Sequence, residues 1–217
     1  MRILAMDTCL AACSAAIWQD GTVIARQWRA MPRGHAEALL PMVEALRAET
    51  GLDYDGFDRL AVSIGPGSFA GVRVGLAAAR GICAARGLPL AGVGTLELLA
   101  ACVQEEEPFA VALDARNAQV YFQAFAQGGA LCPPELLSLS GAAQQVMQLQ
   151  GVQHIFGSGA DLLAPLCGAG IRSGLVELLP DAAVLAGLAA TREPQAAETV
   201  APLYLRPPDA KLPGASA

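Results

Sequence analysis

Arg2 to Met6 is a short apolar run that stops at Asp7-Thr8, a pattern that predicts a buried strand entering a polar turn. Two further strand-like runs follow, Cys13 to Gln19 and Thr22 to Trp28, separated by Asp20-Gly21. Asp-Gly between two such runs is a strong hairpin signal, because both residues tolerate the left-handed backbone of a tight turn. From His35 the period changes. Leu39, Met42, Val43 and Leu46 fall on one helical face, Pro41 predicts a kink or a restart, and Gly51 stops the helix.

The pattern then alternates strand and helix. Arg59 to Ile64 reads as a strand running into Gly65-Pro66-Gly67-Ser68, with Ser68 placed to cap a long helix ending near Arg86 and Gly87. Leu90 to Val93 reads as a strand and Thr95 to Val103 as a helix. Glu105-Glu106-Glu107-Pro108, a charge run closed by proline, marks the expected lobe boundary. Beyond it come strands at Phe109 to Leu113 and Gln119 to Ala126, a helix near Ala142 to Leu149, a strand at His154 to Phe156, and helices near Asp161 to Leu166 and Asp181 to Ala190. The tail from Pro207 contains three prolines and reads as mobile. Each half begins with strands and continues with helix–strand units, which hints at a duplicated α/β lobe with no visible sequence repeat.

Composition narrows the class. The chain has 217 residues, 54% hydrophobic and 16% charged, which excludes disorder for the chain as a whole. No apolar run reaches the roughly 18 to 20 residues that cross a bilayer, and an acid at position 7 argues against a secretory signal; a cytoplasmic protein is expected. Fourteen basic against twenty acidic residues give a net charge of −6, and Lys211 is the sole lysine. A protein that grips nucleic acid by itself carries a basic footprint, so any RNA contact is expected to need a partner. Six cysteines show no C-x-x-C and no metal-type spacing, which predicts reduced, buried thiols and no metal site.

The candidate chemistry is sparse. Gly65-Pro66-Gly67-Ser68-Phe69-Ala70 fits G-x-G-x-x-A between a strand and a helix, the place of a dinucleotide loop. The acidic residue expected about 20 positions on is missing, and Pro66 removes a backbone donor, so a tight strand-to-helix turn is the better reading. In the helix that follows, Gly71, Gly75, Ala78 and Ile82 share one face with Ala79 beside it. Glycine inside a helix costs about 1 kcal/mol against alanine, so this stripe serves close packing, either on a neighbouring helix or sheet of the same chain or on a helix of another subunit. Asp7-Thr8 could face a phosphate or metal, although a strand-end carboxylate is more often a turn cap. His35-x-Glu37 reads as a polar pair at a helix start. No Ser-His-Asp, Cys-His or paired-carboxylate constellation can be assembled.

Several segments together resemble one family. Ile3-Leu4-Ala5-Met6-Asp7-Thr8, His35 to Val43, Gly65-Pro66-Gly67-Ser68-Phe69-Ala70-Gly71-Val72-Arg73-Val74-Gly75, Leu113-Asp114-Ala115-Arg116 with Val120-Tyr121, and Pro202-Leu203-Tyr204-Leu205-Arg206 are similar, in order, to the TsaB (YeaZ) family. Ala70 stands where threonine is usual, and Asn117-Ala118-Gln119 where a basic residue, glycine and glutamate are usual. The resemblance implies an α/β, actin-like, two-lobed fold with duplicated mixed sheets: an N-terminal lobe over residues 1–105 with partner-binding helices, a C-terminal lobe over 106–206, and a tail over 207–217. It implies a non-catalytic subunit that dimerises with a TsaD-like threonylcarbamoyltransferase, and docks a TsaE-like ATPase, in forming threonylcarbamoyladenosine next to the anticodon of tRNAs. Self-association in isolation is also implied, with tRNA reached through the complex and no membrane, cofactor or metal.

By the same resemblance the partner interface comprises His35, Leu39, Met42, Val43, Leu46, Gly71, Gly75, Ala78, Ala79 and Ile82, and Asp7 and Thr8 mark a vestigial nucleotide site. The catalytic paralogue's metal-binding histidine pair corresponds here to Thr95 and Leu99, which cannot hold a transition metal together. Its glycine-rich phosphate loop corresponds to Asp114-Ala115-Arg116-Asn117-Ala118, a poor anion cradle. The rival reading is a small-molecule kinase or glycoprotease-like enzyme of the same fold.

Overall fold

The structure, a computed structural model, describes residues 1–103, 105–127 and 129–206. The first sheet holds β1 (Arg2–Asp7), β2 (Ala12–Gln19), β3 (Thr22–Ala30), β4 (Arg59–Ser63) and β5 (Leu90–Val93) in the order β3-β2-β1-β4-β5. β1 pairs antiparallel with β2 and parallel with β4, so the hairpin sits on one side and the crossovers on the other. Between these strands come α1 (His35–Thr50), a single 3-10 turn at Tyr54–Gly56, and α2 (Phe69–Arg86); α3 (Thr95–Cys102) follows β5.

Period-two alternation in β1 assigns the two faces of this sheet. Leu4 and Met6 join Leu39, Val43 and Leu46 of α1 and Leu76 and Ala79 of α2 in one core layer. Ile3 and Ala5 face the other way, into a layer with Leu98 of α3 and Ala182, Leu185, Ala186 and Ala189 of α6 (Ala182–Ala190).

The second sheet repeats the first. β6 (Phe109–Asp114) pairs antiparallel with β7 (Gln119–Ala126) and parallel with β10 (His154–Phe156), which pairs parallel with β11 (Arg172–Ser173). β8 (Gly129–Ala130) and β9 (Glu135–Ser138) both line the outer edge of β7. The helical connections are α4 (Leu139–Gln148) and α5 (Ala160–Leu163), the latter followed by a 3-10 turn at Ala164–Leu166. With β6 as β1, β7 as β2, β10 as β4 and β11 as β5, the strand orders coincide. The duplication is therefore one of topology, and the fold is the two-lobed α/β, actin-like class with duplicated mixed sheets.

The pattern-based elements stand with adjusted ends. β5, β7 and β10 have the expected bounds, whereas α4 starts three residues before Ala142 because the Ser138 hydroxyl caps it by accepting the Gly141 N–H at 3.1 Å. The expected helix from Asp161 to Leu166 is one α-turn and one 3-10 turn, and α6 begins after Asp181, whose carboxylate caps it at the Ala183 N–H. α1 runs unbroken through Pro41. The donor that proline lacks would have served the Glu37 carbonyl, on the exposed side of the helix. The short strands β8, β9 and β11 and the turn at Tyr54–Gly56 were not foreseen.

The expected C-terminal lobe over 106–206 needs a correction. α6 packs on the first sheet, and Leu90 exchanges backbone hydrogen bonds of 2.9 Å with Gln195 in both directions. The physical reason is fit: the alanines of α6 lie on Ala5, Ala16, Ala61 and Ala91, two surfaces of small side chains that let a helix approach a sheet closely. The tail over 207–217 lies outside the described residues.

Candidate functional site

β1, β4 and the N-termini of α2 and α3 converge where the first strand ends. Asp7 is fully buried there. Its Oδ1 accepts from the Ser63 hydroxyl and from the Cys9 N–H at 3.4 Å, while Oδ2 has no partner among the described residues. Burial pushes the carboxyl up from 3.8 to about 6; the bonds from Ser63 and Cys9 oppose that rise, and the charge of Asp181 adds to it. The Cys9 thiol, 3.1 Å from the Ser63 hydroxyl, is pushed up to about 12, mainly by burial and then by the Asp7 charge. It is therefore no nucleophile at neutral pH. The Thr95 hydroxyl, likewise buried, has no hydrogen-bond partner among the described residues.

The turn after β1 closes this pocket. Thr8 Oγ1 donates to the Gly71 carbonyl at 2.6 Å, and the Ser68 N–H donates to the Cys9 carbonyl at 2.8 Å. A Cβ on Gly67 would press into that same Cys9 carbonyl. The Cys9, Ser68 and Gly71 N–H groups are thus spent inside the chain.

The matching turn of the second lobe is spent likewise. Asp114 Oδ1 accepts the Arg116 N–H at 2.7 Å, and the Asp114 N–H bonds the Ser158 hydroxyl at 3.1 Å. Between these turns lies an interlobe cleft of about 280 Å³ walled by Leu10, Gly67, Ser68, Asp114, Arg116 and Tyr121. The first turn has part of its donors paired within the chain, and the second presents the Asp114 carboxylate beside Arg116, an arrangement unfavourable to a phosphate.

The helix positions named from the sequence divide differently from expectation. Leu39, Met42, Val43, Leu46 and Ala79 lie in the chain's own core, and His35 is 9% exposed with its Nε2 3.0 Å from the Met31 carbonyl. Gly71 and Gly75 back onto β1: a Cβ on Gly75 would stand 2.7 Å from Thr8 Oγ1. In the isolated chain these residues are taken up by contacts within the lobe. Ala78 and Ile82 are half-buried against the same layer.

The outward face is one step round the helices. On α2 it comprises Phe69, Ala70, Arg73, Ala77, Gly81 and Ala84, whereas the exposed side of α1 is mixed, with Ala36, Glu37, Leu40, Pro41, Glu44, Ala45, Ala48 and Glu49. Leu40 is 47% and Phe69 60% exposed, and a Cβ on Gly81 would meet nothing within 4 Å. A signal for this was present: positions 70, 73, 77, 81 and 84 follow the i, i+3, i+4 rule and hold mostly small residues. Sequence reasoning also missed Ser63, the polar residue that follows Leu60-Ala61-Val62 at the end of β4 and holds Asp7.

The TsaD family model, tRNA N6-adenosine threonylcarbamoyltransferase, matches residues 29–132. The tRNA threonylcarbamoyladenosine biosynthesis protein TsaB of Escherichia coli strain K12 is 34% identical over 238 aligned residues, covering 99% of both chains. A tRNA N6-adenosine threonylcarbamoyltransferase of Erythrobacter litoralis is 48% identical over 65 residues, 30% of this chain and 19% of that protein. The solved structure of YeaZ from Pseudomonas aeruginosa is similar with a TM-score of 0.81 and 31% identity, covering 94% of this chain and 99% of that one.

Proposed function

The chain belongs to the TsaB (YeaZ) family, and from that premise we propose that it is the non-catalytic subunit that dimerises with a TsaD-like transferase in tRNA threonylcarbamoyladenosine biosynthesis. The observation that carries this reading is the outward face of α1 and α2. The small residues of α2, with Phe69 and the neighbouring Leu40 of α1 at the edge, leave this surface open to close approach from outside. The TsaD model matches residues 29–132, a span that contains both helices. A TsaD-like partner therefore offers an equivalent pair, and two related pairs can pack about a pseudo-twofold axis as a four-helix bundle. The same geometry lets two copies of this chain associate when the partner is absent.

The closed pocket around Asp7 and the carboxylate-bearing turn at Asp114 support a chain without turnover of its own. That weighs against the kinase and glycoprotease-like readings. A TsaE-like ATPase docks on the assembled pair in this scheme, and the cytoplasm is the compartment where tRNA is modified. No described helix is long and apolar enough to cross a membrane. The net charge of −6 leaves tRNA to basic surfaces of the partner.

Co-elution with the TsaD-like subunit of the same organism tests the reading. The wild type should co-elute. Gly81→Arg, which has open space at its position, should elute alone with an unchanged melting temperature. Co-elution of Gly81→Arg at wild-type stoichiometry would place the interface elsewhere.

A further inference from the structure

The chain's last described residues run back across both lobes. Arg80 of α2 donates to the carbonyls of Ala197 and Glu198 at 3.1 and 3.2 Å, which pins the start of this segment to the helix. Further on, the Leu203 N–H donates to the Ile64 carbonyl at 2.7 Å, at the edge of the Gly65–Ser68 loop. Tyr204 stacks on Phe69 with ring centroids 5.8 Å apart, and its hydroxyl accepts from Arg73 Nε at 3.0 Å. The Arg73 guanidinium lies 3.7 Å above the Phe69 ring. Arg206 then reaches the other lobe, where Nη2 donates to the Ala115 carbonyl at 2.6 Å and to Gln119 Oε1 at 3.0 Å.

Those two acceptors flank the β6–β7 turn. Inside it, Arg116, Asn117 and Ala118 have φ of 63°, 52° and 54°, three successive left-handed residues without a glycine. Each costs about 1 kcal/mol or more in isolation, so the turn keeps its shape only while its surroundings hold it. Arg206 supplies a charged clamp on both sides of it. At the other end, Phe69 and Tyr204 stay 60% and 47% exposed, an aromatic pair beside an arginine at the head of the docking helix.

We propose that Val200–Arg206 is a strap that couples partner docking on α2 to the second lobe. This rests on the docking function proposed above. A partner that packs on the Phe69–Tyr204 pair, and brings a carboxylate to Arg73, orders Tyr204. Arg206, two residues on, is then held against the β6–β7 turn, so docking stiffens the lobe that the bundle itself does not touch. Aromatic residues and arginine are the side chains that most often anchor such contacts. The coupling is only as large as the difference in partner affinity between strap-engaged and strap-released states.

Hydrogen exchange at residues 115–119 reads the coupling in two arms. In the free chain, Arg206→Ala should raise exchange of the Ala115 and Gln119 amides about tenfold or more, the effect of losing its charge-assisted hydrogen bonds to the turn. Unchanged exchange there overturns the strap. Should that variant melt far below the wild type, Arg206→Gln, which keeps a shorter polar side chain, is read in the same way. In the second arm the TsaD-like subunit is added. It should slow exchange at 115–119 in the wild type and leave Arg206→Ala unaffected; equal protection in both overturns the strap as the route. A subunit that does not bind the wild type overturns the docking function instead, while the free-chain arm still decides the strap.

Discussion

Thr8 and Gly71 are locked together across the first lobe: the Thr8 hydroxyl donates to the Gly71 carbonyl at 2.6 Å, and the Thr8 carbonyl occupies the space a Gly71 side chain would need. The end of the first strand and the first turn of α2 thus meet backbone to backbone. The closed pocket at Asp7 and the placement of the whole helix follow from this contact. Glycine spacing that looks like an interface motif is here the mark of a helix lying directly on its own sheet.

Gly71→Ala and Gly75→Leu should therefore unfold the isolated chain more easily. Alanine in place of glycine normally favours a helix by about 1 kcal/mol, but overpacking against β1 costs about 1–3 kcal/mol, so the net sign is destabilising. Urea midpoints of both variants should fall below the wild type. Gly81→Ala, on the same helix with open space above it, should instead rise by about 0.5–1 kcal/mol. A normal midpoint for Gly71→Ala would contradict the contact with Thr8.

Asp7 should give the stability curve a falling limb. Its carboxyl titrates near 3.8 unfolded and at about 6 folded, so the folded state holds the proton more tightly. The stabilisation is full below the unfolded value and is lost as pH rises through about 6. Two pKa units correspond to about 3 kcal/mol. Between pH 4 and 7.5 the wild type should lose stability relative to Asp7→Asn, compared by urea unfolding at each pH. Parallel curves for the two proteins would mean that Asp7 titrates as it does in water.

Ala118 stands in the left-handed region at φ 54°, where the resembled family carries glycine. Ala118→Gly relieves about 1–2 kcal/mol of backbone strain and gives back part of it to the more flexible unfolded chain. A gain of about 0.5–1 kcal/mol in urea unfolding is expected. An unchanged or lower midpoint would show that the turn does not keep this conformation in solution.

The arrangement of strands and helices was legible along the chain because it depends on local rules. Alternation marks β1, a helical period marks α1, Asp20-Gly21 marks the hairpin, and Ser68 with Gly87 bounds α2. Which lobe owns the C-terminal helix was not legible. Ala182 to Ala190 is nearly uniform in hydrophobicity and carries no address, and only the match between its alanines and those of the first sheet places it.

The candidate site divides along the same line. Residue types alone indicated that Asp7-Thr8 ends a strand and that α2 is built for close approach. They could not say which side of α2 faces inward, because small residues lie on both: Gly71, Gly75 and Ala79 toward β1 and β4, Ala77, Gly81 and Ala84 toward solvent. That was decided by contact with a strand more than 60 positions away. A sequence displays periodicity within an element, whereas the choice between two similar faces is made by the surface each one meets.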